Sequence, residues 1–389
     1  MRACRVARVS ASQRIALVRQ RYNPFGGAER FIERALASLE QLGAQITLIA
    51  REWHASGARR VLRIDPPYVG NLWRDAGFAR AARKAWLRER FDLVQSHERI
   101  PGCDLYRAGD GVHRQWLEYR LQGASRLERS RVRASPYHRY VCNVERSLFE
   151  HPRLRAVICN SRMVQADVMR HFRVAPDRLH VIHNGVDLEH FHPRHRAALR
   201  AQARRDLGCA EDDVLFAFVG SGFERKGLAC AIDALARAGD GRMRLAVAGK
   251  DRDSARFAAR ARAAGLSDRI RLLGGVDDVR PIYAAADCFI LPTLYDPFPN
   301  AALEALAMGV PVIVSSRCGA TELVRPQQNG WICEAQDPAG LAALLANAAT
   351  SARDDKMLAA ARASAEGFGI DEMARKLTAL YAALGRTTA

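Results

Sequence analysis

The sequence predicts an α/β protein of two Rossmann-like, doubly wound domains facing a cleft. Three observations predict it. The chain has 389 residues, too many for one ordinary core and suited to two of under 200 residues each, by the usual scaling of domain size. Short apolar runs alternate with stretches of helical spacing in both halves, the pattern of a parallel sheet wrapped in helices. In each half a glycine-rich turn follows the first apolar run directly, at the end of the sheet where such folds bind ligands.

Taken in order, residues 14–19 (RIALVR) read as the first strand, followed by a Pro-Phe-Gly-Gly turn. Residues 28–42 then carry Phe31, Ile32, Ala35, Leu36 and Leu39 at helical spacing, and Gly43 stops that helix. Residues 45–50 (QITLIA) form the next strand, with 91–94 and 156–159 as further candidates. The second half repeats the pattern at 214–220, 245–249, 270–273, 288–291 and 312–314. The polar stretch 190–205, rich in His and Arg and containing Pro193, marks the boundary. The reading is therefore an extension at 1–13, a first domain at 14–190, a linker at 191–205, a second domain at 206–370, and a C-terminal segment at 371–389. The helix in that last segment, 373–384, is expected to pack back towards the first domain.

No apolar run approaches the roughly 18–20 residues of a membrane-spanning helix. Arg2, Arg5 and Arg8 lead into no long apolar stretch, so residues 1–13 make a poor secretory signal. The nine cysteines are scattered without a C-x-x-C pair, which suggests neither a disulfide framework nor a zinc site and fits a reducing compartment. A cytoplasmic protein is expected. The formal charge of +18 sits in one half: residues 1–200 hold 37 Arg or Lys against 19 Asp or Glu, while residues 201–389 hold 23 of each. A basic half-molecule implies a polyanionic partner: phospholipid headgroups, a phosphorylated glycan or nucleic acid.

Three turns carry chemistry. Gly26 and Gly27, after the first strand, let backbone approach a ligand closely, and the following helix start favours an anion. Alone, such a turn serves a phosphate loop and a plain tight turn equally. The second turn, Gly220-Ser221-Gly222-Phe223-Glu224-Arg225-Lys226-Gly227, places two cations where a diphosphate would bind, with arginine able to engage it bidentately. The third runs from Leu294 to Gly309 and holds Asp296 and Glu304, eight residues apart. An ionised carboxylate accepts two hydrogen bonds from a vicinal diol, which suits ribose and sugars. The amides of Asn300, Ala301 and Ala302 can meet phosphate oxygens. Asp251 and Asp253 resemble a metal-binding pair but are read as structural.

The Arg-rich stretch 107–146 includes Arg114, Arg120, Arg126, Arg129, Arg131, Arg133 and Arg139, interleaved with Trp116, Tyr119, Tyr137 and Tyr140. Cations with interfacial aromatics suit anionic headgroups and phosphorylated sugars; a solvated basic helix is the alternative. His97 and His113 are read as structural or acceptor-orienting. No nucleic-acid motif is present, and no nucleic-acid partner is expected.

The Asp296–Glu304 element resembles the E-x7-E element of glycosyltransferase family 4, retaining enzymes of the GT-B fold. The similarity extends to the PFGGAER turn, residues 181–187 (VIHNGVD), the ERKG turn, residues 278–287 ending in AAAD, and GVPVI after Gly309. It is strongest towards members that glucosylate the heptose region of the lipopolysaccharide inner core, at YNPFGGAER, 101–110 (PGCDLYRAGD), GSGFERKG and GKDRDSARF. The resemblance implies a UDP-sugar donor bound by the second domain and an acceptor bound by a membrane-facing first domain. It gives Glu304 to the donor ribose, Asp296 to the transferred sugar's hydroxyls, and Arg225 and Lys226 to the departing diphosphate. Gly26 and Gly27 would pack near the phosphates, and Asp110 near the acceptor or the reacting carbon. It implies no metal and no cofactor beyond the donor itself. Asp296 stands where the family usually has Glu and is one methylene shorter, so sugar preference is expected to differ.

Overall fold

A computed structural model describes residues 13–21, 36, 40, 43–52 and 60–385, and the structural statements below concern those residues. The chain forms two compact units, Met1–Asn184 with Asp371–Ala389, and Gly185–Ile370.

The first unit is built on β1 (Arg14–Val18), β2 (Gln45–Ala50), β3 (Arg60–Arg63), helix α1 (Gly70–Glu89), β4 (Leu93–Ser96) and β5 (Leu105–Ala108). Helices α2 (His113–Leu121), α3 (Arg126–Ala134) and α4 (Pro136–Phe149) follow, then β6 (Ala156–Cys159), α5 (Arg162–His171) and β7 (Leu179–Val181). Its seven strands are all parallel in the order β3-β2-β1-β4-β5-β6-β7. Strands buried on both faces need no polar alternation, which is why β4, β5 and β6 are buried at every position. Helix α1 covers the sheet with Phe78, Ala82 and Trp86, spaced four apart on one face.

The second unit comprises α6 (Pro193–Asp206), β8 (Val214–Val219), α7 (Phe223–Lys226), α8 (Leu228–Ala238), β9 (Met243–Ala248), α9 (Ser254–Ala263) and β10 (Ile270–Gly274). It continues with α10 (Arg280–Ala285), β11 (Cys288–Leu291), α11 (Asn300–Ala307), β12 (Val312–Ser315), β13 (Gly330–Cys333), α12 (Pro338–Ser351) and α13 (Asp355–Glu366). Its six strands are also parallel, in the order β10-β9-β8-β11-β12-β13. The order reverses between β8 and β11, the switch point beyond which doubly wound sheets bind ligands. The last helix, α14 (Ile370–Gly385), returns to the first unit, where the Tyr381 hydroxyl donates to the Gln95 side chain and Arg155 donates to the Leu384 carbonyl.

Every strand named from the sequence has a counterpart. Four others, β3, β5, β7 and β13, are not legible as apolar runs, since RVLR, LYRA, LHV and GWIC are short or carry charged or polar residues. The expected boundary near residue 190 and the linker at 191–205 need correction. The units divide at Asn184 and Gly185, and residues 193–206 are helix α6. The polarity of that stretch misleads because three of its arginines, Arg196, Arg200 and Arg204, face inward while Arg194 and Arg205 stay exposed. Arg200 and Arg204 bind the carbonyls that end α10 and pair with Asp287, which is fully buried. Among the described residues, no helix is long and apolar enough to cross a membrane.

Candidate active site

The loop after β8 is shaped by backbone freedom and one buried ring. Gly220 has φ +139°, and a Cβ there would lie 2.7 Å from Lys226 Cε; only glycine lets that side chain fold back over the strand end. Phe223 is buried against Phe218 and Phe257, at centroid distances of 6.0 and 5.6 Å. Burying such a ring stabilises by about 1.5–3 kcal/mol, which anchors the turn. Asp251 Oδ2 accepts from the Phe223 amide at 2.7 Å, and Asp251 Oδ1 accepts from the Asp253 amide. Burial raises the Asp251 carboxyl, but these amide bonds outweigh it and hold it below the ordinary carboxylate range. Asp251 thus serves the turn.

The loop after β11 is joined to this turn. The Arg225 carbonyl accepts from the Leu294 amide at 2.8 Å and from Thr293 Oγ1 at 2.9 Å, while Arg225 Nη1 donates to the Tyr295 carbonyl at 2.8 Å. The Asp296 main chain bridges onward to Arg317 and Gly319 beyond β12. Strand ends β8, β11 and β12 therefore converge on Asp296.

The Asp296 carboxylate is buried and accepts from Lys226 Nζ at 2.9 Å and Arg225 Nη1 at 3.3 Å, both through Oδ2. Burial raises its pKa, but Lys226 and then Arg225 outweigh that effect and leave it below the ordinary carboxylate value. Side-chain exposure is 11% for Lys226 and 40% for Arg225, so the arginine is the reachable cation. Two cations against one carboxylate leave a net positive charge, suited to an incoming diphosphate. Asp296, read from the sequence resemblance as a sugar-hydroxyl acceptor, also orients both cations.

Glu304 lies in the second turn of α11, and its Oε2 accepts from the Tyr283 hydroxyl at 3.0 Å. Burial and then Glu304 push the Tyr283 phenol well above its ordinary value, so it stays protonated and donating. The Ala302 amide donates to the Pro299 carbonyl at 3.2 Å, which removes it from the amides open to a phosphate; Asn300 and Ala301 occupy the helix start. The structure thus brings Arg225, Lys226, Asp296 and the α11 start to one switch point. Tyr283 escaped sequence reasoning, because a tyrosine in an apolar helix looks like core.

In the first unit, Asp110 is exposed in the turn after β5. Arg99 Nη2 donates to the Gly111 carbonyl in the same turn, and Arg99 Nε donates to Glu145, which is fully buried. Glu98, another residue that sequence reasoning missed, accepts from the Gln20 amide at 2.9 Å. Burial and the charge of Asp110 raise its pKa, outweighing that bond. His97 is buried and held well below its ordinary value by burial, then Arg107 and Arg19. His113 is lowered to about 3 by burial, then Arg99, and contacts His138 at 3.1 Å. Both are neutral imidazoles. Gly26 and Gly27 lie outside the described residues.

Beyond the end of β5, the Arg-rich stretch forms the three helices α2, α3 and α4. Arg114, Arg126, Arg129, Arg131 and Arg133 are exposed. Arg120 is partly buried and stacks over Trp116, 5.3 Å from the ring centroid.

Two doubly wound parallel-sheet units, the second with a cation pair and a buried carboxylate at its switch point, have the build of a GT-B glycosyltransferase. Residues 25–190 match the model of Glycosyltransferase Family 4 and residues 200–366 that of Glycosyl transferases group 1, so the chain is a glycosyltransferase built of a family 4 domain and a group 1 domain. It is 24% identical over 323 residues to the lipopolysaccharide glucosyltransferase WaaG of Escherichia coli strain K12, covering 82% of this chain and 84% of that one. It is 28% identical over 335 residues to a D-inositol 3-phosphate glycosyltransferase of Streptomyces scabiei strain 87.22, covering 79% and 72%. A crystal structure of WaaG superposes with a TM-score of 0.81 at 23% identity, covering 94% and 99% of the two chains. Anabaena HepE in complex with UDP and glucose superposes at 0.70 with 19% identity, covering 95% and 99%.

Proposed function

We propose that this glycosyltransferase transfers a hexose, glucose in the first instance, from a UDP-sugar to the heptose region of the lipopolysaccharide inner core, at the cytoplasmic face of the membrane and with retention at the anomeric carbon. One observation carries the donor half of this reading: Lys226 and Arg225 converge on buried Asp296 beside α11, the helix that bears Glu304. In the proposed reaction, the bond between C1 of the sugar and the β-phosphate oxygen breaks. Arg225 and Lys226 stabilise the negative charge that develops on UDP. The acceptor hydroxyl bonds to C1 from the same face, and its proton passes to the departing phosphate oxygen. Glu304, its carboxylate aligned by Tyr283, would hold the ribose diol. With cations and helix amides at the diphosphate, we propose that turnover needs no divalent metal.

The basic first unit, with Arg114, Arg126, Arg129, Arg131 and Arg133 exposed, supports an anionic acceptor and a peripheral membrane location. UDP and glucose in HepE and the lipopolysaccharide role of WaaG support the donor and acceptor classes. The test is UDP release from a panel of UDP-sugars in EDTA, with and without heptose-terminated lipopolysaccharide core. Acceptor-dependent release from one sugar is expected. Release only with another cell-surface or polyprenyl-linked acceptor would overturn the acceptor assignment, and release abolished by EDTA would overturn metal independence.

A further inference from the structure

Seven large apolar side chains stand exposed among the described residues, and four of them, Tyr68, Val69, Trp73 and Leu87, lie at the start or on the outer face of α1. Trp73 is 63% exposed and Val69 79%. At 3.6 residues per turn, Val69, Trp73, Arg80, Lys84 and Leu87 fall within about 40° of one line along the helix. Phe78, Ala82 and Trp86, all buried, centre on the opposite side. Arg80 and Lys84 are exposed. The helix's two carboxylates face away from this stripe: Asp75 accepts from Gln20 and Tyr137, and Glu89 pairs with Arg60. The outer face therefore presents two cations, a tryptophan, a leucine and a valine, with no acid among them.

We propose that this face of α1 is a lipid-docking surface. It lies along an anionic bilayer, with Val69, Trp73 and Leu87 at the boundary between headgroups and acyl chains and Arg80 and Lys84 on lipid phosphates. The inference rests on the peripheral-membrane reading above but gives insertion to an element outside the Arg-rich stretch. Charge and polarity together select the occupant. A polyanion alone matches the two cations, but nucleic acid offers no apolar layer for Trp73 and Leu87, whereas an anionic bilayer offers both. The two basic surfaces are also linked. Tyr137, at the start of α4, donates to Asp75 at 3.0 Å, two residues from Trp73, and α3 ends two residues before α4 begins.

The test uses the full chain with vesicles of phosphatidylcholine, with and without phosphatidylglycerol, in co-sedimentation. Wild-type protein should bind the anionic vesicles, and acyl chains carrying bromine should quench its tryptophan fluorescence. Trp73→Phe should lose part of that quenching. Trp73→Ser with Leu87→Ser should bind at least about tenfold more weakly while melting as wild type, since both side chains are exposed. Arg80→Gln with Lys84→Gln should weaken binding at low salt by about fivefold per charge removed. Unchanged vesicle binding and quenching in the α1 variants, while wild type binds, would overturn the α1 assignment alone. Absence of wild-type binding to anionic vesicles would overturn the peripheral reading with it. Binding to duplex DNA in place of vesicles, weakened by the α1 substitutions, would give the face to nucleic acid and overturn the proposal.

Discussion

Asp296→Asn tests the electrostatic centre of the donor site. The substitution keeps the shape and removes the charge that both Lys226 and Arg225 contact. Breaking a buried pair by removing one partner is destabilising by about 3–5 kcal/mol, and Lys226, at 11% side-chain exposure, is the partner left uncompensated. The amide oxygen still accepts one bond and Arg225 reaches solvent, which places the expected loss near 3 kcal/mol at the low end of that range. For a domain of this size that is roughly 6–12 °C in melting midpoint, read by calorimetry on the transition that UDP stabilises. The pH dependence has a fixed direction. Burial raises the Asp296 carboxyl, Lys226 and Arg225 outweigh it, and the folded pKa lies below the ordinary value. The contribution is therefore complete at neutral pH and is lost as pH falls below about 4, where variant and wild type converge. A double-mutant cycle with Lys226→Met should give a coupling of at least about 1 kcal/mol. Equal midpoints at pH 7, or a cycle that sums to zero, would refute the claim that the three side chains act as one unit.

Glu304→Ala should abolish detectable UDP-sugar binding by calorimetric titration, because two charge-assisted bonds of about 1.5–3 kcal/mol each are removed. Near-wild-type affinity would move the ribose site elsewhere. Tyr283→Phe removes the bond that aligns Glu304 and should raise KM for the donor by about fivefold to tenfold with little change in kcat, as expected for a net hydrogen bond of about 1 kcal/mol. Neutralising Arg126, Arg129, Arg131 and Arg133 together should weaken adsorption to anionic vesicles by more than about a hundredfold at low salt while sparing acceptor-independent UDP hydrolysis. Unchanged adsorption would make α3 a solvated helix.

Some features were legible in the sequence because local chemistry dictates them. The apolar runs at 45–50, 156–159 and 288–291 are strands wherever they fall, since a parallel strand buried on both faces has nothing else to be. The turn at 220–227 announced itself because glycines on either side of Arg225 and Lys226 are the residues that let backbone and a long side chain share so little space. The spacing of Asp296 and Glu304 set one before a helix and the other within it. Pairing across the chain decided the rest. β3, with arginine at both ends, is a strand only because β2 offers a parallel edge. α2 has no capping side chain of its own; Glu145, 32 residues beyond His113, supplies the acceptor for its first amides. α6 looked like a linker until Asp287 and the carbonyls ending α10 took up its arginines. Asp296 pairs with Lys226 across 70 residues, a contact that no spacing encodes. Sequence alone thus determined where segments bury apolar surface and where backbone turns tightly. Which charges meet was decided by the tertiary structure, because an ion pair depends on the approach of two strand ends whose separation along the chain carries no signal.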